Sequence, residues 1–233
     1  MTSLSTTVII PVHNGERYLA AAIRSVLAQT HPPAEILVVD DGSTDRSAAF
    51  AHSFGPPVSV LTQANLGPAA ARNLGVAHAT GDLLAFLDAD DLWLPYKLAR
   101  QVQVLKRDPA CEAVLGSMEN FVSPELAETD RQAMAPSADV SGAHHVGTLL
   151  IRRAAFQRIG AFDERWRHGE FIAWWARADR AGLTHVVLPE LVLRRRLHMD
   201  NLTRREQEGR RSYPTLLREH IRSVREGTAK RHG

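Results

Sequence analysis

The chain has 233 residues, 44% of them apolar and 23% charged, with a net charge of +2 and a single cysteine, Cys111. That length allows one substantial core but is short for two full domains. One cysteine excludes an internal disulfide, and no run approaches the roughly 20 apolar residues that a transmembrane helix needs. The opening stretch MTSLSTTVII has no basic segment of the kind that starts a secretory signal, so a cytoplasmic protein is expected.

In chain order, Thr7–Val12 is an apolar, β-branched run ended by His13-Asn14-Gly15, which predicts a first strand and turn. Glu16–Gln29 places Leu19, Ile23, Val26 and Leu27 at helical spacing. Glu35–Val39 is a second buried strand, ending on Asp40-Asp41-Gly42, and Ser43 or Thr44 could cap the helix that follows towards Phe54. Val58–Leu61 reads as a short strand, and Asn65–Ala79 as a helix whose glycine and alanines let it lie close to a sheet. Leu83–Leu87 is a further strand, short and apolar enough to be buried on both faces.

That strand stops on Asp88-Ala89-Asp90-Asp91. Carboxylates crowded at the end of a buried strand repel one another, and a divalent cation with its preference for oxygen ligands removes the repulsion. If the segment is extended, Asp88 and Asp90 fall on one side and Ala89 on the other. An acidic turn capping the next helix is the plainer alternative.

Pro95–Lys106 is predicted helical, Glu112–Gly116 a strand, and Ser117–His145 a long loop, of the length usually found in functional lids. Gly147–Ile151 is strand-like and Arg152–Ile159 a short helix. His168–Ala181 is a helix carrying Phe171, Trp174 and Trp175; only one of the adjacent tryptophans is expected to face the core. Trp93 and Trp166 are candidate sugar platforms, and Thr184–Leu188 and Leu191–Leu197 look like two closing strands. From Arg194 onward the chain is rich in arginine. Such a tail can meet phosphates, an anionic membrane or nucleic acid, or be a solvated helix face.

The alternation of strands and helices implies right-handed crossovers and a parallel sheet, whose ligands sit beyond the carboxyl ends of the strands. His13-Asn14, Asp40-Asp41 and Asp88–Asp91 all fall at such ends, so three polar clusters should converge on one rim. The chain has neither a GxGxxG nor a GxxxxGK[ST] after the first strand, so a bound diphosphate would need a metal and basic side chains.

The order VIIPVHN, EILVVDDGSTD, NLGPAAARNLG, GDLLAFLDADD and GTLLIRRAAFQRIGAFDE resembles a family 2 glycosyltransferase, over roughly residues 6 to 200. The resemblance implies a single α/β domain of the GT-A type, a Rossmann-like, mostly parallel sheet flanked by helices. It implies an inverting, metal-dependent transfer of sugar from a nucleoside-diphosphate sugar to an acceptor hydroxyl of a glycan, lipid, peptide or small molecule. Residues 1–116 would form the nucleotide-sugar half and 117–203 the acceptor and catalytic half, followed by a basic helical tail over 204–233 that could touch a membrane surface. A nucleic-acid partner is not expected.

By the same resemblance Pro11, Val12, His13 and Glu16 lie near the nucleotide, Asp41 meets the base edge and Arg72 lies near the donor. Asp88-Ala89-Asp90 matches the DxD element, with Asp88 on ribose and Asp90 on Mn²⁺ or Mg²⁺, and His198 completes the metal shell. Arg194–Arg196 could reach the diphosphate or merely flank a strand. The departure is at Glu170-Phe171, where many members carry Glu-Asp and use the aspartate as the base; Glu170 is the nearest replacement. The alternatives are a nucleotide-sugar binder that has lost transfer, a metal-dependent nucleotidyltransferase, and a nucleic-acid binder acting through the tail.

Overall fold

The computed structural model describes residues 4–134, 144–166, 168–199 and 201. The tail from residue 204, with the membrane contact expected of it, lies outside them. Among the described residues no helix is long and apolar enough to cross a membrane.

The first half runs β1 (Thr6–Val12), α1 (Leu19–Leu27), β2 (Glu35–Asp41), α2 (Ser47–His52), β3 (Val58–Gln63), α3 (Pro68–His78) and β4 (Leu83–Phe86). Then come β5 (Leu92–Trp93), α4 (Lys97–Arg107), β6 (Ala113–Val122) and α5 (Glu128–Ala133). A 3-10 turn at Val146–Thr148 leads into β7 (Leu150–Arg152), α6 (Arg153–Ile159), α7 (Glu170–Arg180) and β8 (His185–Leu197). Among the described residues eight strands form one mostly parallel sheet in the order β3-β2-β1-β4-β7-β6-β8-β5. β3, β2, β1 and β4 are mutually parallel; β7 turns antiparallel to both β4 and β6, while β6 and β8 run parallel again.

Strand alternation explains the layers. Val8, Ile10 and Val12 of β1 face α1 and α4 through Leu19, Ile23, Val26, Leu98 and Val102. Ile9, between them, faces α3, α6 and α7 through Ala71, Phe156 and Trp174. The small residues of α3 have the predicted purpose. A Cβ built on Gly75 would stand 2.5 Å from Ile9 Cγ2 and 3.3 Å from Val39 Cγ2, so only glycine lets α3 settle on β1 and β2. Gly75→Ala is expected to cost about 1–3 kcal/mol by overpacking, read from the urea midpoint of unfolding.

Several boundaries differ from expectation. Residues 117–122 are strand and not loop, because β6 continues alongside β8 from Ser117↔Leu191 to Val122↔Leu197. The two closing strands are one. Leu115 pairs with Val187 and Ser117 with Leu191, so Leu188-Pro189-Glu190 bulge opposite Gly116. A bulge is where a sheet tolerates proline. α2 begins at Ser47 with Arg46 at the N-cap position, so neither Ser43 nor Thr44 caps it; Asp45 Oδ1 accepts from Ser47 N at 2.9 Å in the turn just before.

Both α7 tryptophans are buried, contrary to the expected division. Trp174 stacks on Phe156 and Phe171, while Trp175 meets His144 and His185 edge-on. Trp93 is no sugar platform either: it is 4% exposed and donates from Nε1 to Gly147 O at 2.9 Å.

Candidate active site

β1 sits between β2 and β4, and the chain visits first one side and then the other, which makes this the switch point of the sheet. The pairing of β4 with β1 stops at Ile9↔Phe86, while β2 stays paired as far as Val12↔Asp40. The sheet therefore opens just where Pro11, Val12 and His13 end β1. Pro11 and Val12 are buried in that strand end and His13 is exposed beyond it.

His13 Nδ1 donates to Asp41 O at 2.8 Å, which leaves Nε2 to accept from Asn65 Nδ2 at 3.2 Å. Asp41 is 3% exposed, and its carboxylate holds the turn into α3: Oδ1 accepts from Gln63 Nε2 and Leu66 N, Oδ2 from Gly67 N. Glu16 lies further out, with Oε1 accepting from Arg46 Nε at 2.9 Å. A Cβ on Gly15 would come within 3.6 Å of Ala89 Cβ, so the 13–15 turn and the acidic segment adjoin.

The acidic segment is a turn, with Asp91 N donating to Asp88 O, and not an extension of β4. Its carboxylates accordingly take separate directions, correcting the expectation that Asp88 and Asp90 share one side. Asp88 turns towards α3, where Arg72 Nη2 donates to its Oδ1 at 2.6 Å. Arg72 is 4% exposed, and its Nη1 donates to Glu170 Oε1 at 2.5 Å. One buried guanidinium thus joins the acidic turn to the start of α7, 98 residues away. Burial opposes the Arg72 charge, but the two facing carboxylates outweigh it and raise its pKa above the ordinary range. Asp88 shows the reciprocal effect: burial works against its charge, yet the Arg72 guanidinium beside it brings its pKa below the usual value.

Asp90 turns the other way. Its Oδ2 lies 3.0 Å from His198 Nε2 and accepts from Asn201 Nδ2 at 3.2 Å. Asn201 Oδ1 also accepts from His198 N at 2.6 Å, so the asparagine braces the pair from behind. The His198 ring rests 4.6 Å from that of Tyr18, and the Arg196 guanidinium lies between Tyr18 and Phe121, 4.7 Å from each ring. Arg196 N donates to Asp91 Oδ1 at 2.8 Å and its Nε to Asp90 O at 2.9 Å. Asp91 is 2% exposed; burial first, then Asp90 and Asp88, push its pKa well above the carboxylate range. Asp88, Asp91 and His145 offer ligand atoms within 4.8 Å of one another.

Arg72, Asp88, Ala89, Asp90, Glu170 and His198 are therefore gathered on one rim with His13 and Asp41. Asp91, named from the sequence only as part of the acidic cluster, joins them, as do His145, Asn201 and Tyr18, which the sequence had not singled out. Asn201, three residues beyond His198, carried a local signal as a side chain able to bond back to the preceding backbone. His145 carried none, since it ends a stretch without periodicity.

The family model for glycosyl transferase family 2 matches residues 7–167. An uncharacterized glycosyltransferase of Nostoc sp. is 48% identical over 107 residues, which is 44% of this chain and 33% of that protein. An uncharacterized glycosyltransferase of Rickettsia prowazekii is 29% identical over 208 residues, 84% of this chain and 65% of that one. The chain thus spans between a third and just under two thirds of these relatives. The crystal structure of S. aureus TarS 1–349 in complex with UDP-GlcNAc matches with a TM-score of 0.74 at 17% identity, covering 95% of this chain and 66% of that one. The UDP complex of the same protein matches at 0.65, with 19% identity over 83% of this chain and 61% of that one. At these identities the likeness is one of fold.

Proposed function

From a chain that belongs to glycosyl transferase family 2, we propose an enzyme that moves a sugar from a nucleoside-diphosphate sugar to an acceptor hydroxyl, inverting the anomeric centre. The donor lies along Pro11, Val12, His13, Glu16, Asp41, Arg72, Asp88 and Ala89, with residues 1–116 as its half of the domain. Residues 117–203 supply the acceptor side. TarS 1–349 is seen in complex with UDP and with UDP-GlcNAc, which makes uridine nucleotides the first donors to try.

The observation that carries this reading is the Asp88–Arg72–Glu170 bridge. It sets the carboxylate of a candidate base beside the acidic turn that would hold the donor. Arg72 keeps Glu170 oriented at the first residue of α7. The base takes the acceptor hydroxyl proton as that oxygen attacks the anomeric carbon.

Asp90 and His198 suit a divalent ion. They lie 108 residues apart in the chain and bring a carboxylate oxygen and an imidazole nitrogen within 3.0 Å of each other. Mn²⁺ or Mg²⁺ accepts that donor set. Bound there, the ion would offset charge building on the departing diphosphate. Tyr18 and Asn201 hold the His198 ring and backbone in place for it.

Thermal denaturation with UDP, with and without Mn²⁺, tests the site. Wild-type protein should show a metal-dependent rise in Tm and Asp90→Ala should lose it. A variant that kept the full rise would overturn this assignment. Release of nucleoside diphosphate rather than pyrophosphate separates sugar transfer from nucleotidyl transfer.

A further inference from the structure

His145 faces the acidic turn with its protonation fixed by the backbone. Its Nδ1 lies 3.1 Å from Gly147 N. A backbone N–H can only donate, so Nδ1 presents a lone pair and the proton of the neutral ring sits on Nε2. The support is rigid. His145 O accepts from Thr148 N and Thr148 Oγ1, and Gly147 O accepts from the indole of buried Trp93. A Cβ on residue 147 would stand 2.9 Å from Leu193 Cδ2 and 3.1 Å from His145 Nδ1, so glycine there is what lets the imidazole sit on the turn.

The protonated Nε2 is 3.9 Å from Asp88 Oδ2. That is too long for a direct hydrogen bond. Arg72 Nη2 donates to the other oxygen of Asp88, Oδ1, which leaves Oδ2 facing His145. A donor N–H and an acceptor carboxylate oxygen therefore stand either side of a gap that one oxygen atom can bridge. A hydroxyl satisfies both at once, accepting from His145 and donating to Asp88. A metal ion would not suit Nε2 as it stands, since ligation needs the lone pair there. Moving the proton to Nδ1 would point it at the Gly147 N–H.

We infer that His145 and Asp88 together bind one hydroxyl of the nucleotide sugar, with His145 acting as a hydrogen-bond donor and not as a metal ligand. The inference rests on the donor reading above and adds a specificity-determining residue to it. Two hydroxyl sources share this chemistry, the ribose and the transferred sugar.

Calorimetric titration of UDP and UDP-GlcNAc in the presence of Mn²⁺ tests it with the wild type, His145→Asn and His145→Gln. Asparagine can replace Nδ1 against Gly147 N but ends short of the gap; glutamine can carry an N–H into it. His145→Asn should weaken binding about tenfold, the equivalent of one lost hydrogen bond of about 1.4 kcal/mol, and His145→Gln should recover part of that. Equal weakening for both ligands assigns the ribose hydroxyl, and weakening for UDP-GlcNAc alone assigns the sugar; either supports the pair. Mn²⁺ affinity should stay within about twofold in both variants. Unchanged nucleotide binding in His145→Asn would overturn the inference, and so would a tenfold loss of Mn²⁺ affinity, which would make His145 a ligand. Wild-type protein that bound neither nucleotide would overturn the donor reading and this inference with it.

Discussion

Glu170→Gln is expected to slow sugar transfer by about 10²–10⁴-fold while leaving the fold and nucleotide affinity intact, the usual loss when a positioned general base is removed. The substitution is nearly isosteric. A glutamine Oε1 can still accept from Arg72 Nη1, so the bridge to the acidic turn survives in geometry. What disappears is the second lone-pair-bearing carboxylate oxygen able to take a proton. The readout is kcat alongside the Kd for UDP: kcat should collapse and Kd should move little. A kcat within about threefold of wild type would place the base elsewhere. A wild-type protein that binds donor but turns over neither acceptor nor water would favour the binding-module reading.

The position after Glu170 explains the departure from the usual Glu-Asp pair. Phe171 is 5% exposed and stacks on Trp174 with ring centroids 6.1 Å apart, so this position belongs to the core beneath α7. An aspartate there would be a charge buried among aromatics. The helix start at Gly169, in the left-handed region with φ +75°, instead sets Glu170 at the mouth of the helix beside Arg72.

The rim was legible because each of its clusters ends an apolar strand, and strand ends are local features. The partners of those clusters were not. Nothing in the run GDLLAFLDADD reveals that Asp88 turns towards Arg72 and Asp90 towards His198, since both choices are made by residues outside the run, Arg72 16 residues before Asp88 and His198 108 residues after Asp90. The length of β6 was hidden for a related reason. Glu119, Asn120 and Phe121 lack strong alternation and stay in the sheet because Arg194, Arg195 and Arg196 of β8 pair with them. The one continuous strand at 185–197 was broken on paper by Pro189, which the bulge opposite Gly116 absorbs. In the same way Trp93 read as an exposed aromatic until the 3-10 turn at 146–148 covered it and took its N–H.

Arg72→Met should destabilise the metal-free protein by about 3 kcal/mol, the low end of the cost of removing one partner from a buried charge pair. The lower figure applies because the Asp88 side chain is 29% exposed and can be partly rehydrated, whereas that of Glu170 is 11% exposed and cannot. Lysine should not rescue the loss. Two different nitrogens of the fork reach the two carboxylates, and a single ammonium presents one point of charge. The double variant Arg72→Met with Glu170→Gln should regain part of the stability, because it removes the carboxylate left without a counter-charge. The pH dependence has a definite sign. Arg72 holds the Asp88 carboxyl below its ordinary value, so its contribution is present above the normal carboxylate range and is lost as pH falls through the depressed value. The difference between wild type and Arg72→Met, measured by urea unfolding in chelator, should therefore be largest near neutral pH and shrink on acidification. A loss under about 1 kcal/mol, or a gap that widened in acid, would mean that the guanidinium does not hold the acidic turn to α7, and the proposed placing of the base beside the donor would lose its support.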